Sequence, residues 1–144
     1  MQNHVPTGLS PIDIQTHDAQ ATQMMNTFSK AMLVEDIELF LSLFAEQVIF
    51  EFPYAPEGYA KQLEGIHALR QHLESLQGII AFTHFSTPMI HLATDSHTFI
   101  AQFQGVGTFV ATGLPYEQDY ISVVTTCDGK ITRYQDYWNP LVLG

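Results

Sequence analysis

The chain has one cysteine, Cys127, and only five Lys and Arg. A lone thiol cannot close an internal disulfide, which suits a reducing cytosol. Five cations against fifteen Asp and Glu give a formal charge of −10, with no basic stripe to neutralise phosphates, so no nucleic-acid partner is expected. Long apolar runs are also missing. Ile37–Ala45 is interrupted by Glu and Ser and is far too short to span a bilayer, so no membrane partner is expected. The start, Met1-Gln-Asn-His-Val-Pro, lacks the basic and apolar regions of a signal peptide. These absences describe a small, acidic, soluble, cytoplasmic domain.

Several chemistries lack their residues. None of the seven histidines sits at His-x-x-x-His or His-x-His spacing, and His67 and His72 fall on different faces of a helix, so no metal site is expected. Gly105-Val-Gly-Thr-Phe-Val lies in a strand and lacks the third glycine of a dinucleotide fingerprint. There is no Gly-x-Ser-x-Gly, Cys127 has no evident base, and phosphate-loop, haem-attachment and calcium-loop patterns are missing. No cofactor is implied. Any chemistry here is metal-free acid/base work.

What is present is a core. The 144 residues make one domain, of a size that buries about 68–70% of its unfolded surface. Hydrophobic residues make up 46% and charged ones 14%, with ten Phe, six Tyr and one Trp available to line something. Residues 1–17, with Pro6, Gly8 and Pro11, read as a flexible N-terminal arm, and 18–144 as the single domain. From Asp18 as N-cap, Ala21, Met24, Met25, Phe28 and Met32 recur at helical spacing. After a break near Val34, Ile37, Phe40, Leu41 and Phe44 form a second stripe. Val48-Ile-Phe-Glu-Phe predicts a strand ended by Pro53. A third helix after Gly65 buries Ile66, Leu69, Leu73 and Leu76 and closes at Gly78. Strands follow at Phe85–Ala93, Thr98–Val110, Tyr116–Cys127 and Lys130–Asn139, the last two joined by a two-residue Asp128-Gly129 turn. The order predicts an α+β fold.

Pairing Cys127 with Lys130 and counting back sets Val123 opposite Tyr134, Ile121 opposite Asp136 and Asp119 opposite Trp138. This set is the more apolar and is expected inward. Tyr116, Gln118, Tyr120 and Ser122 are then expected outward. The preceding hairpin joins Ile90 to Ala101 and Leu92 to Phe99, with Phe103 and Gly105 continuing the inner face. Its half-apolar outer face, holding Met89, His91, Ile100, Gln102, Gln104 and Val106, is the expected surface of a homodimer. Asp119 and Asp136 thus share an aromatic interior. Such a pair can divide proton-accepting and proton-donating roles, or can simply accept bonds from Tyr134, the Trp138 indole or backbone amides. His72 lies about 80° off the apolar stripe of the third helix, where it is either a packed histidine or one facing a cavity between helix and sheet.

Longer motifs carry a resemblance. Glu35-Asp-Ile-Glu-Leu-Phe-Leu-Ser-Leu-Phe-Ala-Glu-Gln-Val-Ile-Phe-Glu-Phe-Pro and Leu63-Glu-Gly-Ile-His-Ala-Leu-Arg-Gln-His-Leu resemble the nuclear-transport-factor-two-like superfamily. Tyr116-Glu-Gln-Asp-Tyr, Asp128-Gly-Lys-Ile and Asp136-Tyr-Trp-Asn-Pro resemble SnoaL-like proteins and the phenazine-biosynthesis A/B family. Over about residues 20–142 the resemblance implies a strongly curved antiparallel sheet wrapped round three helices, an internal apolar pocket and a dimer. Against ketosteroid isomerase, the base falls on Phe52, the oxyanion-hole tyrosine on Phe28 and the oxyanion-hole acid near Gln118 or Asp119. Phenylalanine exchanges no proton, so that mechanism is not expected. Against the phenazine A/B family, the paired histidine and acid fall on His72 and Asp136, with Asp for that family's Glu.

The resulting expectation is a small-molecule-binding protein performing cyclase, isomerase or condensation chemistry on an apolar or aromatic carbonyl compound. Asp136 exchanges the proton, His72 is the complementary acid and Asp119 tunes the charge. Phe50, Phe52, Tyr54, Phe82, Phe103, Tyr134 and Trp138 form the walls. The rival reading is a non-catalytic ligand-binding or dimerisation module of the same fold.

Overall fold

Ser10 opens the first helix. Its hydroxyl accepts from the Asp13 backbone N–H at 3.1 Å, Asp13 accepts in turn from the Ser10 N–H at 3.4 Å, and Pro11 takes the first helical position, where no donor is needed. Helix α1 then runs Pro11–Val34 in a computed structural model that describes residues 10–143. Asp18 is therefore inside the helix and is not its cap. Residues 11–17 of the expected arm are helix with His17 buried, and residues 1–9 lie outside the described residues. His17, Ala21, Met25, Phe28 and Ala31 form the buried face. Glu35 ends the helix at φ 54, and Asp36 caps α2 (Ile37–Leu41) by accepting from the Leu39 N–H at 3.0 Å.

Phe44 begins strand β1 (Phe44–Glu51) and does not extend the second helix as its spacing predicts. Sheet pairing overrides the local periodicity here, because Ile131 N–H donates to Leu43 C=O at 2.8 Å and Phe44 pairs with Ile131. The three-residue β2 (Gln62–Glu64), unforeseen in the sequence, leads into α3 (Gly65–Leu76). The strand expected over 85–93 is the shorter β4 (Met89–Leu92), and β3 (Ile80–Phe85) before it is unforeseen; Pro88, which has no N–H to give a ladder, stands between them. Then come β5 (Thr98–Phe109), β6 (Pro115–Cys127), β7 (Lys130–Trp138) and a 3-10 turn at Pro140–Leu143.

The strand order is β2-β1-β7-β6-β5-β3, with β4 also paired to β5. The sheet is open and mixed, not wholly antiparallel, because β1 runs parallel to β7. The fold is α+β, with the sheet curved around the helices. Tyr134 anchors the interior. It is fully buried, lies between Phe28 (centroids 5.4 Å, planes 2° apart) and Phe50 (4.6 Å, 8°), and bonds Ser122 through its hydroxyl at 2.6 Å.

Gly107 marks a close backbone approach in the sheet. A Cβ there would stand 2.3 Å from the Ala81 carbonyl oxygen, in the backbone of β3. Gly107→Ala is expected to displace β3 and lower stability by about 1–3 kcal/mol, read as a lower urea midpoint. An unchanged midpoint would show that β3 yields freely.

Candidate functional site

The Asp128-Gly129 turn pairs Cys127 with Lys130 as expected, but an extra residue on β7, Thr132, bulges opposite Thr125 and Thr126 and shifts the register by one residue. Beyond it, Val124 pairs with Tyr134, Ser122 with Asp136 and Tyr120 with Trp138. The β7 half of the expected inner face stands, with Tyr134, Asp136 and Trp138 inward, while the β6 half reverses. Tyr116, Gln118, Tyr120 and Ser122 face inward. Asp119 is exposed on the outer face, where its carboxylate accepts from Gln104 Nε2 at 2.8 Å.

Between this inner face and the three helices lies a cavity of about 460 Å³. Its walls are mostly apolar and rich in aromatic rings, and the 53–60 segment reaches it through Tyr59, whose ring meets Trp138 edge-on at 6.2 Å. Asp136 is its most unusual group. The side chain keeps partial exposure because it opens on the cavity, yet Oδ1 has no accessible surface and no hydrogen-bond partner. Burial alone pushes its carboxyl up to about 7, since no neighbouring cation offsets the lost hydration.

Tyr116 and Tyr120 line the same cavity, their hydroxyls joined at 2.9 Å. Two phenols sharing one bond use one proton between them, which leaves the other O–H free to donate. Burial pushes both phenols above their ordinary value. The charge of Asp136 adds to this and does the same, after burial, at Tyr134. The tyrosines are therefore proton-bearing donors at any working pH. His72 also lines the cavity, its ring 5.2 Å from that of Phe52, and burial pushes its imidazole down, towards the neutral form. No direct hydrogen bond joins His72 to Asp136 among the described residues.

The structure thus gathers Asp136, His72, Phe52, Phe82, Phe103, Tyr134 and Trp138 at one cavity. It does not bring Asp119 there, because of the bulge. Phe50 is buried in the core behind the wall, stacked on Tyr134, and Tyr54 is 64% exposed, its ring against Tyr137 on the outer side. Tyr116 and Tyr120 are cavity groups that the expected register turns outward.

The family model for the SnoaL-like domain matches residues 23–134. The chain belongs to the SnoaL-like family. It is 44% identical over 124 residues to the uncharacterised protein YesE of Bacillus subtilis, covering 86% of this chain and 84% of that protein. It is 35% identical over 99 residues to an uncharacterised PhzA/B-like protein of Pseudomonas aeruginosa, PA3332, covering 69% and 70%. Among solved structures, a Bacillus subtilis protein described as a candidate isomerase superposes with a TM-score of 0.84 at 43% identity, over 88% of this chain and 91% of its own. The architecture is the NTF2-like cone.

In this SnoaL-like chain Phe28 and Phe52 both line the cavity, so the positions matched to a tyrosine and a base carry rings that exchange no proton. Gln118, the other candidate for the oxyanion-hole acid, is buried and committed to the backbone: Oε1 accepts from Asn139 N–H at 2.7 Å and Nε2 donates to Asn139 C=O at 3.1 Å. It fixes the turn after β7. No helix among the described residues is long and apolar enough to cross a membrane.

Proposed function

We propose that this SnoaL-like protein binds a small apolar or aromatic carbonyl compound and catalyses a metal-free proton transfer on it, of the isomerase, cyclase or condensation kind. One observation carries the reading: an unpartnered buried carboxyl, Asp136, faces an aromatic cavity beside a tyrosine pair with a hydroxyl proton to spare. A structural carboxylate is normally given bonds; this one has a buried oxygen with none, on a side chain that lines the space a ligand would fill.

The chemistry follows from the positions. The substrate carbonyl oxygen accepts the free O–H of the Tyr116–Tyr120 pair. Ionised Asp136 takes a proton from the carbon next to that carbonyl, and the C–H electron pair becomes the enolate, held by the tyrosine hydroxyl. Protonated Asp136 then returns the proton to another carbon, giving an isomer. In the cyclase variant the enolate carbon attacks a second carbonyl of the same molecule, and the new alkoxide takes the proton. A group near pH 7 serves both directions. Neutral His72 lies where it can hydrogen-bond a second polar group of the substrate. The outer face, with Met89 and Ile121 exposed, is the surface through which two copies would associate.

Trp138 is the only tryptophan and lines the cavity, so its emission reports occupancy. Titration with aromatic and alicyclic ketones from pH 5 to 8 is expected to give saturable quenching, with a pH midpoint near 7 that disappears in Asp136→Asn. Product analysis of the ketones that bind then separates enzyme from binding module. Ligand returned unaltered from every binding ketone would support the module.

A further inference from the structure

The cavity has donors and negative charge but no cation. None of the five Lys and Arg, all among the described residues, lines it. Arg70 is paired with Glu38 and Arg133 with Glu51. Lys61 donates to the Ala55 carbonyl, Lys130 donates to the Ser42 carbonyl at 2.6 Å, and Lys30 stands on the exposed side of α1. His72, the one wall residue able to become a cation, is held towards neutrality by burial.

Glu35 and Asp36 are exposed lining residues that mark the cavity's mouth and carry the same sign, Asp36 while also capping α2, and the last turns of α1 and α3 reach the cavity through Met32 and Leu76. A helix C-terminus presents unpaired carbonyls and the negative end of its dipole, and neither last turn carries a basic residue to offset it.

We infer that the cavity filters ligands by charge: it admits uncharged carbonyl compounds, with any acid group esterified or amidated, and rejects carboxylates, sulfonates and phosphates. This rests on the reading of the cavity as a ligand site and narrows its substrate class. An anionic group held about 6 Å from ionised Asp136, at an effective dielectric constant of about 20, is weakened roughly 100-fold. With Asp136 protonated, the anion still loses its hydration for aromatic walls with no cation to replace it.

Two dyes separate the filter from the carbonyl chemistry. Phenylnaphthylamine is neutral, and anilinonaphthalene sulfonate is the same skeleton with a fixed negative charge. At pH 7.5 the neutral dye is expected to bind with a Kd at least about 10-fold lower. Gln77→Lys, an exposed mouth position, should bring the sulfonate to within a few-fold of the neutral dye. Equal or tighter binding of the sulfonate to the parent protein would overturn the filter, and so would a dye ratio left unchanged by Gln77→Lys. If the neutral dye binds selectively but no ketone does, the filter stands and the carbonyl reading falls. If neither dye binds, both fall.

Discussion

Asp136→Asn is expected to give a protein that is more stable than its parent at pH 8 and has lost turnover. The carboxyl titrates at about 7 in the folded protein because burial has stripped its hydration, against 3.8 for an ordinary aspartate. Below about pH 4 the group is protonated folded and unfolded alike, and contributes no difference. Between about 4 and 7 the unfolded chain releases the proton while the folded one retains it, so stability falls as pH rises; above 7 the loss levels off. The full span corresponds to roughly 4 kcal/mol, an upper figure because the residue keeps partial exposure. Asparagine is neutral throughout, so its advantage should be near zero at pH 4 and about 2–4 kcal/mol at pH 8, measured by urea unfolding across that range. A pH-independent difference would mean that Asp136 is hydrated and ordinary. Greater stability with lost activity would identify a group kept for function against its effect on folding.

The sequence carries the architecture because most of its signals are local. Helix α3 is readable from Gly65, an apolar stripe and Gly78, and the β6–β7 hairpin from Asp128-Gly129. The β4–β5 register follows from its short connection, with Ile90 opposite Ala101 and Leu92 opposite Phe99 as expected. Asp136 is legible because it alternates with Tyr134 and Trp138 on β7, whereas His72 flanks the α3 stripe and takes the cavity-facing one of the two placements its spacing allows. The bulge at Thr132 is not legible, since Ile131-Thr132-Arg133 in a strand carries no mark of an extra residue, and one such residue on β7 turns the β6 face over relative to Tyr134 and Asp136. A clue lay across the sheet. Phe103 and Gly105 face inward on β5, and they pair with Tyr120 and Gln118. Gly105 leaves the space that Tyr120 fills, because a Cβ there would meet that ring at 3.0 Å and Phe85 at 2.8 Å. The alternation within β6 agrees, since Glu117 and Asp119 share the face opposite the two tyrosines, and two adjacent carboxylates belong in water. The side of Tyr54 is not legible for a related reason: a loop residue has no periodicity to give it one.

Tyr120→Phe is the second substitution with a large expected effect, and it tests whether the tyrosine pair acts as a donor or as wall. Tyr120 is the diagonal neighbour of Asp136, since it pairs with Trp138 while Ser122 pairs with Asp136, and it is less covered than Tyr116. Its hydroxyl is therefore placed as the donor to the ligand, with Tyr116 behind it. Removing a preorganised donor to a developing oxyanion costs about 100-fold in kcat or more. Tyr116→Phe leaves Tyr120 in place without its partner and should cost about 10-fold, the worth of one neutral hydrogen bond. The double variant should be no worse than Tyr120→Phe alone, because Tyr116 acts only through it. Binding supplies a check that needs no turnover. The Kd of a ketone, relative to that of its carbonyl-free hydrocarbon analogue, should rise in Tyr120→Phe while the hydrocarbon's own Kd stays within a few-fold. If both Kd values rose together, Tyr120 would be shaping the wall, and the oxyanion would need another donor. The Trp138 indole N–H, on the strand residue paired with Tyr120, would be the one to test next.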